Sequence, residues 1–231
     1  MKAWNELPKC MQCDEVRPYY ETLKKREGQI LCKRVFDITV AIVALFILAL
    51  PMVIISILIA LDSKGGVLYR QKRVTTYGRE FYIHKFRTMV ANADRIGSAV
   101  TVSQDSRVTG IGRVLRKYRL DEFPQLFDVI KGDMSFVGTR PEVPRYVKQY
   151  TPEMLATLLL PAGITSEASL RYKDEATLLQ EADDADRVYV EQILPEKMKY
   201  NLESIRNFSF LNEIRTMFRT VLAVLGKEYE I

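Results

Sequence analysis

The chain has 231 residues, of which 48% are hydrophobic and 27% charged, with 11 glycines and 9 prolines. These shares exclude a wholly disordered chain, a collagen-like chain and a multi-span membrane protein, and the length suits one domain or one domain with an appendage. The formal charge of +5 points to an anionic partner: nucleic acid, anionic lipid or a phosphorylated substrate.

Residues 1–32 are polar and mixed in charge, and they read as a peripheral N-terminal extension. Pro8 and Pro18 interrupt it, and Tyr19 to Arg26 could form a helix near a surface. Cys10 and Cys13 make a C-x-x-C pair. A structural zinc needs four ligands, and only Cys32 and the single His84 remain, so the pair lacks its second half. Three cysteines are no disulfide framework and fit a reducing compartment.

Residues 33–64 hold a membrane segment. Ile38 to Leu61 is an uncharged apolar run of 24 residues, about 36 Å as a helix and long enough to cross a bilayer. It starts too late and is too long for a signal peptide. Pro51 lies just past its middle, where it removes a backbone hydrogen bond. Both flanks are basic: Lys33 and Arg34 before the run, Lys64, Arg70, Lys72 and Arg73 after it. A helix that enters, bends at Pro51 and returns satisfies both observations; a Pro-kinked single span satisfies them nearly as well.

Residues 65–231 read as a cytoplasmic catalytic domain at the membrane interface. Gly65-Gly66 marks a turn, and Val67 to Tyr69 and Glu80 to Phe86 read as strands around Tyr77-Gly78. Residues 90–110 look loop-rich, and Gly112 to Leu120 has helical spacing. Glu153 to Leu160 is a short helix, and 174–186 carries six acidic side chains on a solvated face. Leu211, Ile214, Met217, Phe218, Val221, Leu222 and Leu225 form a helical stripe that could pack on a core or lie at a lipid interface.

The charge excess is local. Lys64 to Arg119 holds thirteen Lys or Arg against three Asp or Glu, directly after the apolar run. Such a surface suits anionic headgroups or a phosphorylated substrate at the interface; the membrane segment argues against nucleic acid. Beside it sits Leu120-Asp121-Glu122-Phe123-Pro124-Gln125. Pro124 belongs in a helix's first turn, so a helix should begin near Asp121. Asp121 could be a plain N-cap. Flanked by Arg113, Arg116, Lys117 and Arg119, the carboxylate pair also suits phosphoryl chemistry, in which a carboxylate attacks phosphorus while cations or a divalent metal neutralise the site.

From about Lys33 to Leu225 the chain resembles the bacterial sugar transferase family, the monotopic phosphoglycosyl transferases. The resemblance rests on pieces in order: Lys33-Arg34-Val35-Phe36-Asp37; Arg70-Gln71-Lys72-Arg73; Lys85-Phe86-Arg87-Thr88-Met89; Leu120 to Leu126; Lys131 to Gly138; Arg140-Pro141; Gly163-Ile164-Thr165; and Asn207-Phe208-Ser209-Phe210. It implies transfer of a sugar 1-phosphate from a UDP-sugar to polyprenol (undecaprenyl) phosphate, with release of UMP, at the start of glycoconjugate assembly. It implies Asp121 as the nucleophile and as a contact of Mg²⁺, and Glu122 as a helper of the acceptor phosphate or the metal site. Lys85, Arg116 and Arg140 match basic positions near the phosphates, with Arg73 and Arg87 as further candidates.

The resemblance also implies a mixed α and β fold, mostly helical, with a re-entrant membrane helix broken at Pro51, interfacial helices and a small β element. It places the protein at the cytoplasmic face of the bacterial inner membrane, in contact with the lipid bilayer and without nucleic acid; a homodimer is compatible with it. Relatives carry an arginine where this chain has Leu160, before Pro161-Ala162-Gly163, so Arg171 is a candidate substitute. That departure keeps open an alternative, a catalytically inactive membrane anchor of the same fold. Water as second acceptor, making a hydrolase, is a third reading.

Overall fold

The computed structural model describes residues 1–90, 93, 105–172, 178, 179, 182 and 184–224. Most of the expected 90–110 loop, much of the acidic 174–186 stretch, and Leu225 lie outside the described residues. The described chain is mixed α and β and mostly helical.

The N-terminal segment is not peripheral. Two 3₁₀ turns, Trp4–Glu6 and Lys9–Met11, lead into α1 (Arg17–Lys24), with Pro18 in its opening turn, where proline's missing N–H costs nothing. Leu7, Met11, Val16, Tyr19, Tyr20 and Leu23 are all buried, packed with Leu158, Leu159, Leu202, Ile205 and Phe208. The burial is irregular in spacing because short turns, and not one long helix, present these side chains. No period in the sequence announces it.

Helix α2 (Glu27–Asp62) is one helix of 36 residues, about 54 Å long if straight, so residues 32 and 33 do not separate two units. Helical assignment continues through Pro51 without the expected break, since proline removes one hydrogen bond and leaves its neighbours in place. It is long and apolar enough to cross a membrane. Phe46, Ile47, Leu50 and Leu61 are exposed, while Ala41, Ile55 and Ile59 are buried. Both ends dock on the same domain. Near the start, Lys33 Nζ meets Glu213 Oε2 at 2.8 Å and Arg34 donates to the carbonyls of Val129 and Ile130. At the far end, Asp62 Oδ2 accepts from the Ile111 amide, and Arg87 donates to the carbonyls of Ile59, Ser63 and Lys64.

Strands β1 (Leu68–Val74) and β2 (Glu80–Phe86) form an antiparallel hairpin in which Tyr69 pairs with Lys85 and Gln71 with Ile83. Its tight connection places Tyr77 and Gly78 at positive φ. Helix α3 (Gly110–Lys117) lies against Thr88, so closely that a Cβ on Gly112 would stand 2.1 Å from the Thr88 carbonyl oxygen. Helix α4 (Gln125–Lys131) ends at Gly132 with φ 92° and leads to β3 (Met134–Val137). Strand β4 (Ala162–Thr165) runs parallel to β3. A Cβ on Gly163 would sit 2.2 Å from the Gly138 amide nitrogen, so only glycine permits this approach.

Between β3 and β4 come α5 (Pro144–Val147) and the expected short helix, which is a 3₁₀ helix over Glu153–Leu159. After β4 follow α6 (Glu167–Arg171), α7 (Ala185–Val188), a π-helical turn at Tyr189–Ile193, α8 (Leu194–Arg206) and α9 (Phe210–Val224). Helix α9 answers the question its stripe posed. Its buried residues are Glu213 and Thr216, while Leu211, Phe218, Val221 and Val224 are exposed. A helix packing its apolar stripe on a core would show the opposite arrangement.

Candidate active site

Asp121 and Glu122 sit in a 3₁₀ turn, Leu120–Glu122, separate from α4. The expected helix start at Asp121 is therefore displaced to Gln125, with Pro124 immediately before it at φ −61°. Asp121 is no N-cap of that helix. Arg119, just before the turn, has φ 56°, a left-handed conformation that costs about 1–3 kcal/mol in a residue with a side chain. The strain reverses the chain between α3 and the turn and aims both carboxylates inward.

The two carboxylates have different surroundings. Glu122 Oε1 accepts from Lys85 Nζ at 2.9 Å and Arg140 Nη2 at 2.7 Å, with Arg119 Nη1 3.9 Å away. Burial pushes the Glu122 carboxyl up, but Arg140, Lys85 and Arg119 outweigh it and hold the group well below the usual carboxylate range. Asp121 has no side-chain ion pair within 4 Å among the described residues. Burial raises its pKa; Lys85 and Arg116 pull it down, Glu122 pushes it up, and the net direction is upward. Lys85, from β2, is itself lowered by burial in spite of Glu122.

Around this pair lies a cavity of about 550 Å³ whose wall includes Lys85, Arg116, Arg119, Asp121, Glu122 and Arg140. Arg116 Nε donates to Thr88 Oγ1 at 2.9 Å, which fixes the guanidinium at the wall. Arg73 and Arg87 also border the cavity, yet Arg73 and the two terminal nitrogens of Arg87 donate elsewhere, while the buried Arg87 Nε has no partner among the described residues. Arg73 binds Gln71 and the Pro141 carbonyl, and Arg87 caps the end of α2. All seven site residues read from sequence thus line one cavity, with Arg73 and Arg87 bracing its edge. Tyr69 and Gln71 share the cavity too, although the sequence marks Tyr69 only as the end of a short strand and Gln71 only as part of Arg70-Gln71-Lys72-Arg73.

A second cavity of about 520 Å³ shares Arg119, Glu122 and Arg140 with the first. Its remaining wall is mostly apolar and includes Ala44 and Leu48 of α2 and Ala223 and Val224 of α9. Leu160 borders neither cavity; it packs against the N-terminal core. Arg171 lines neither cavity, although its neighbour Leu170 lines the second; it pairs with Glu167 at 3.2 Å and Glu203 at 3.7 Å. The missing arginine and its candidate substitute therefore both lie outside this site. Among the described residues no cluster of three His, Cys, Asp or Glu could hold a metal, and Cys10 and Cys13 are free thiols. With Glu122 paired to two cations, Asp121 is the carboxylate open to a divalent ion. One carboxylate completed by substrate phosphates and water is a normal environment for Mg²⁺.

Residues 28–227 match the model of the bacterial sugar transferase family. The chain is 34% identical over 196 residues to the UDP-N-acetylgalactosamine-undecaprenyl-phosphate N-acetylgalactosaminephosphotransferase of Aeromonas hydrophila, covering 84% of this chain and 43% of that protein. It is 31% identical over 198 residues to the UDP-glucose:undecaprenyl-phosphate glucose-1-phosphate transferase of Caulobacter vibrioides, covering 84% of this chain and 70% of that one. It is 30% identical over 221 residues to the undecaprenyl-phosphate galactose phosphotransferase of Salmonella typhimurium, covering 89% of this chain and 43% of that one. The chain thus spans less than half the length of two of these relatives. With the match covering most of its length, the chain belongs to the bacterial sugar transferase family.

Proposed function

We propose that the chain transfers a sugar 1-phosphate from a UDP-sugar to undecaprenyl phosphate, releases UMP, and so begins assembly of a glycoconjugate. The observation that carries this reading is Asp121, without an ion pair among the described residues, in a cationic cavity that shares a wall with an apolar one reaching α2. A diphosphate fits the first cavity. A lipid phosphate fits the junction, its tail running along Ala44 and Leu48. Relatives whose names carry undecaprenyl phosphate support the same acceptor.

In the first step an Asp121 carboxylate oxygen bonds to the sugar-bearing phosphorus, and the bond from that phosphorus to the bridging oxygen breaks. UMP leaves with the electron pair. In the second step an oxygen of undecaprenyl phosphate attacks the same phosphorus, and the carboxylate of Asp121 departs. Lys85, Arg116 and Arg140 oppose the charge on the phosphates throughout. Glu122, held ionised by Lys85 and Arg140, is a weak base; its part is to keep those two cations converged. The acceptor phosphate is largely ionised at neutral pH and needs no strong base. Mg²⁺, bound at Asp121 with the diphosphate, would supply further neutralisation of phosphate charge.

We place the domain at the cytoplasmic face of the inner membrane, with α2 re-entering and not spanning. Both ends of α2 contact one domain, whereas a spanning helix would carry them to opposite sides. The outward apolar stripe of α9 and the exposed Val114, Tyr118 and Phe127 support a lipid-facing rim. Lys33 is buried in its ion pairs, so labelling is best done at the exposed native Cys32 and at Lys64→Cys, in protein lacking Cys10 and Cys13. Both sites should label from the cytoplasm; labelling from opposite faces would make α2 a true span.

The direct test of the reaction is UMP release by purified protein with Mg²⁺, undecaprenyl phosphate and a panel of UDP-sugars. Release with at least one sugar, and its loss in excess chelator, is expected. Free sugar phosphate in place of lipid-linked sugar would make the protein a hydrolase. Silence across the panel would favour first a donor outside it and then the inactive anchor.

A further inference from the structure

We infer that Gln71 is a donor-binding residue, its carboxamide NH₂ turned into the cavity by Arg73 to meet an uncharged oxygen of the nucleotide sugar. This rests on the proposed transfer from a nucleotide sugar.

Arg73 Nε and Nη2 both donate to Gln71 Oε1, at 3.0 and 2.6 Å. A guanidinium has only donors, so the amide oxygen must face it and the NH₂ must face away. Gln71 borders the same cavity as Lys85 and Asp121, and its NH₂ has no hydrogen-bond partner among the described residues. Arg73 has no freedom to let the amide turn. Its Nη1 donates to the Pro141 carbonyl at 3.0 Å and lies 3.9 Å from Glu142, which the Tyr189 hydroxyl holds. Arg73 is therefore a positioning residue, and its charge is directed into the protein.

Strand register gives the scale. Tyr69 is opposite Lys85, and Gln71 is the next residue of β1 on that face, about 7 Å further along. A phosphate between Lys85 and Asp121 puts the adjoining part of the donor beside Gln71. The cations at Lys85 and Arg116 attract any phosphate equally. A neutral, fixed NH₂ instead selects for an oxygen acceptor at one place. That oxygen belongs either to the sugar, as hydroxyl or carbonyl, or to the nucleoside.

The test compares Gln71→Glu and Gln71→Leu with wild type. The glutamate keeps an acceptor for Arg73 but presents no donor to the cavity; the leucine removes the donor without adding charge. Both should raise KM for the UDP-sugar about tenfold, the scale of one lost hydrogen bond with an unpaired acceptor, and leave KM for undecaprenyl phosphate unchanged. Weakened inhibition by UMP in both variants assigns the oxygen to the nucleoside; unchanged inhibition assigns it to the sugar. An unchanged donor KM in Gln71→Leu overturns the inference, because an effect confined to glutamate reflects charge against phosphate. Equal rises for both substrates overturn it as well. Wild-type protein that releases no UMP refutes instead the reaction on which it rests.

Discussion

Asp121→Asn is expected to lower UMP release by about four orders of magnitude or more, the scale on which an enzyme loses its nucleophile. Asparagine has the same shape, and Asp121 has no ion pair among the described residues to lose, so the fold should persist. Wild-type protein given UDP-sugar alone should gain the mass of a sugar phosphate; the variant should gain nothing. Near-normal turnover would remove Asp121 from the nucleophile's role.

The pH dependence follows from the same residue. Only the ionised carboxylate attacks, and burial raises its pKa above the ordinary 3.8. The acid limb of kcat/KM should therefore lie above that value. The folded-state pKa lies above the unfolded one, so folding disfavours the ionised form at neutral pH. Asparagine removes that cost, and the melting temperature of Asp121→Asn should equal or exceed wild type.

Glu122→Gln should do the reverse. Lys85 and Arg140 converge on one oxygen, and a neutral amide leaves two cations facing each other in a poorly solvated site. Breaking a buried pair by removing one partner costs about 3–5 kcal/mol. At this chain length that lowers the melting temperature by roughly 6–20 °C. Turnover should fall too, as the cations separate. A melting point within about 1 °C of wild type would contradict the anchoring role. The sign for acid also differs between the two residues. Glu122's folded pKa is depressed, so its stabilisation is full above the ordinary 4.5 and is lost only as pH falls well below it. Acid should thus silence Asp121 before it loosens the Glu122 cluster.

The apolar helix α2 is tied to the site by guanidinium caps at both ends. Arg34 closes the last turn of α4, which follows the Asp121–Glu122 turn, and Arg87, two residues beyond Lys85, closes α2 itself. The basic flanks of the apolar run divide accordingly. Lys33 and Arg34 face inward to protein partners, while Lys64 is exposed. Charge beside an apolar run is therefore not by itself charge offered to lipid.

What the sequence alone determined was whatever depends on neighbours along the chain. The uncharged run 38–61 requires an apolar environment, and turn residues around Tyr77-Gly78 require a hairpin. Asp121 and Glu122 are adjacent wherever the chain goes, and the basic excess of 64–119 directly precedes them. Tertiary structure decided which distant groups meet. Lys85 and Arg140 stand 37 and 18 residues from Glu122, and nothing local distinguishes them from Arg73 or Arg87, which fold onto Gln71 and the end of α2. The same holds for residues 1–24, whose apolar side chains have no period because they fill a pocket made by α8 and the Glu153–Leu159 turn. It holds for α9, whose pattern could not say which face looks inward until Lys33 and Glu167 met its polar side. Periodicity is a property of one segment, whereas pairing a buried charge depends on the closure of loops between segments, and only the folded chain carries that information.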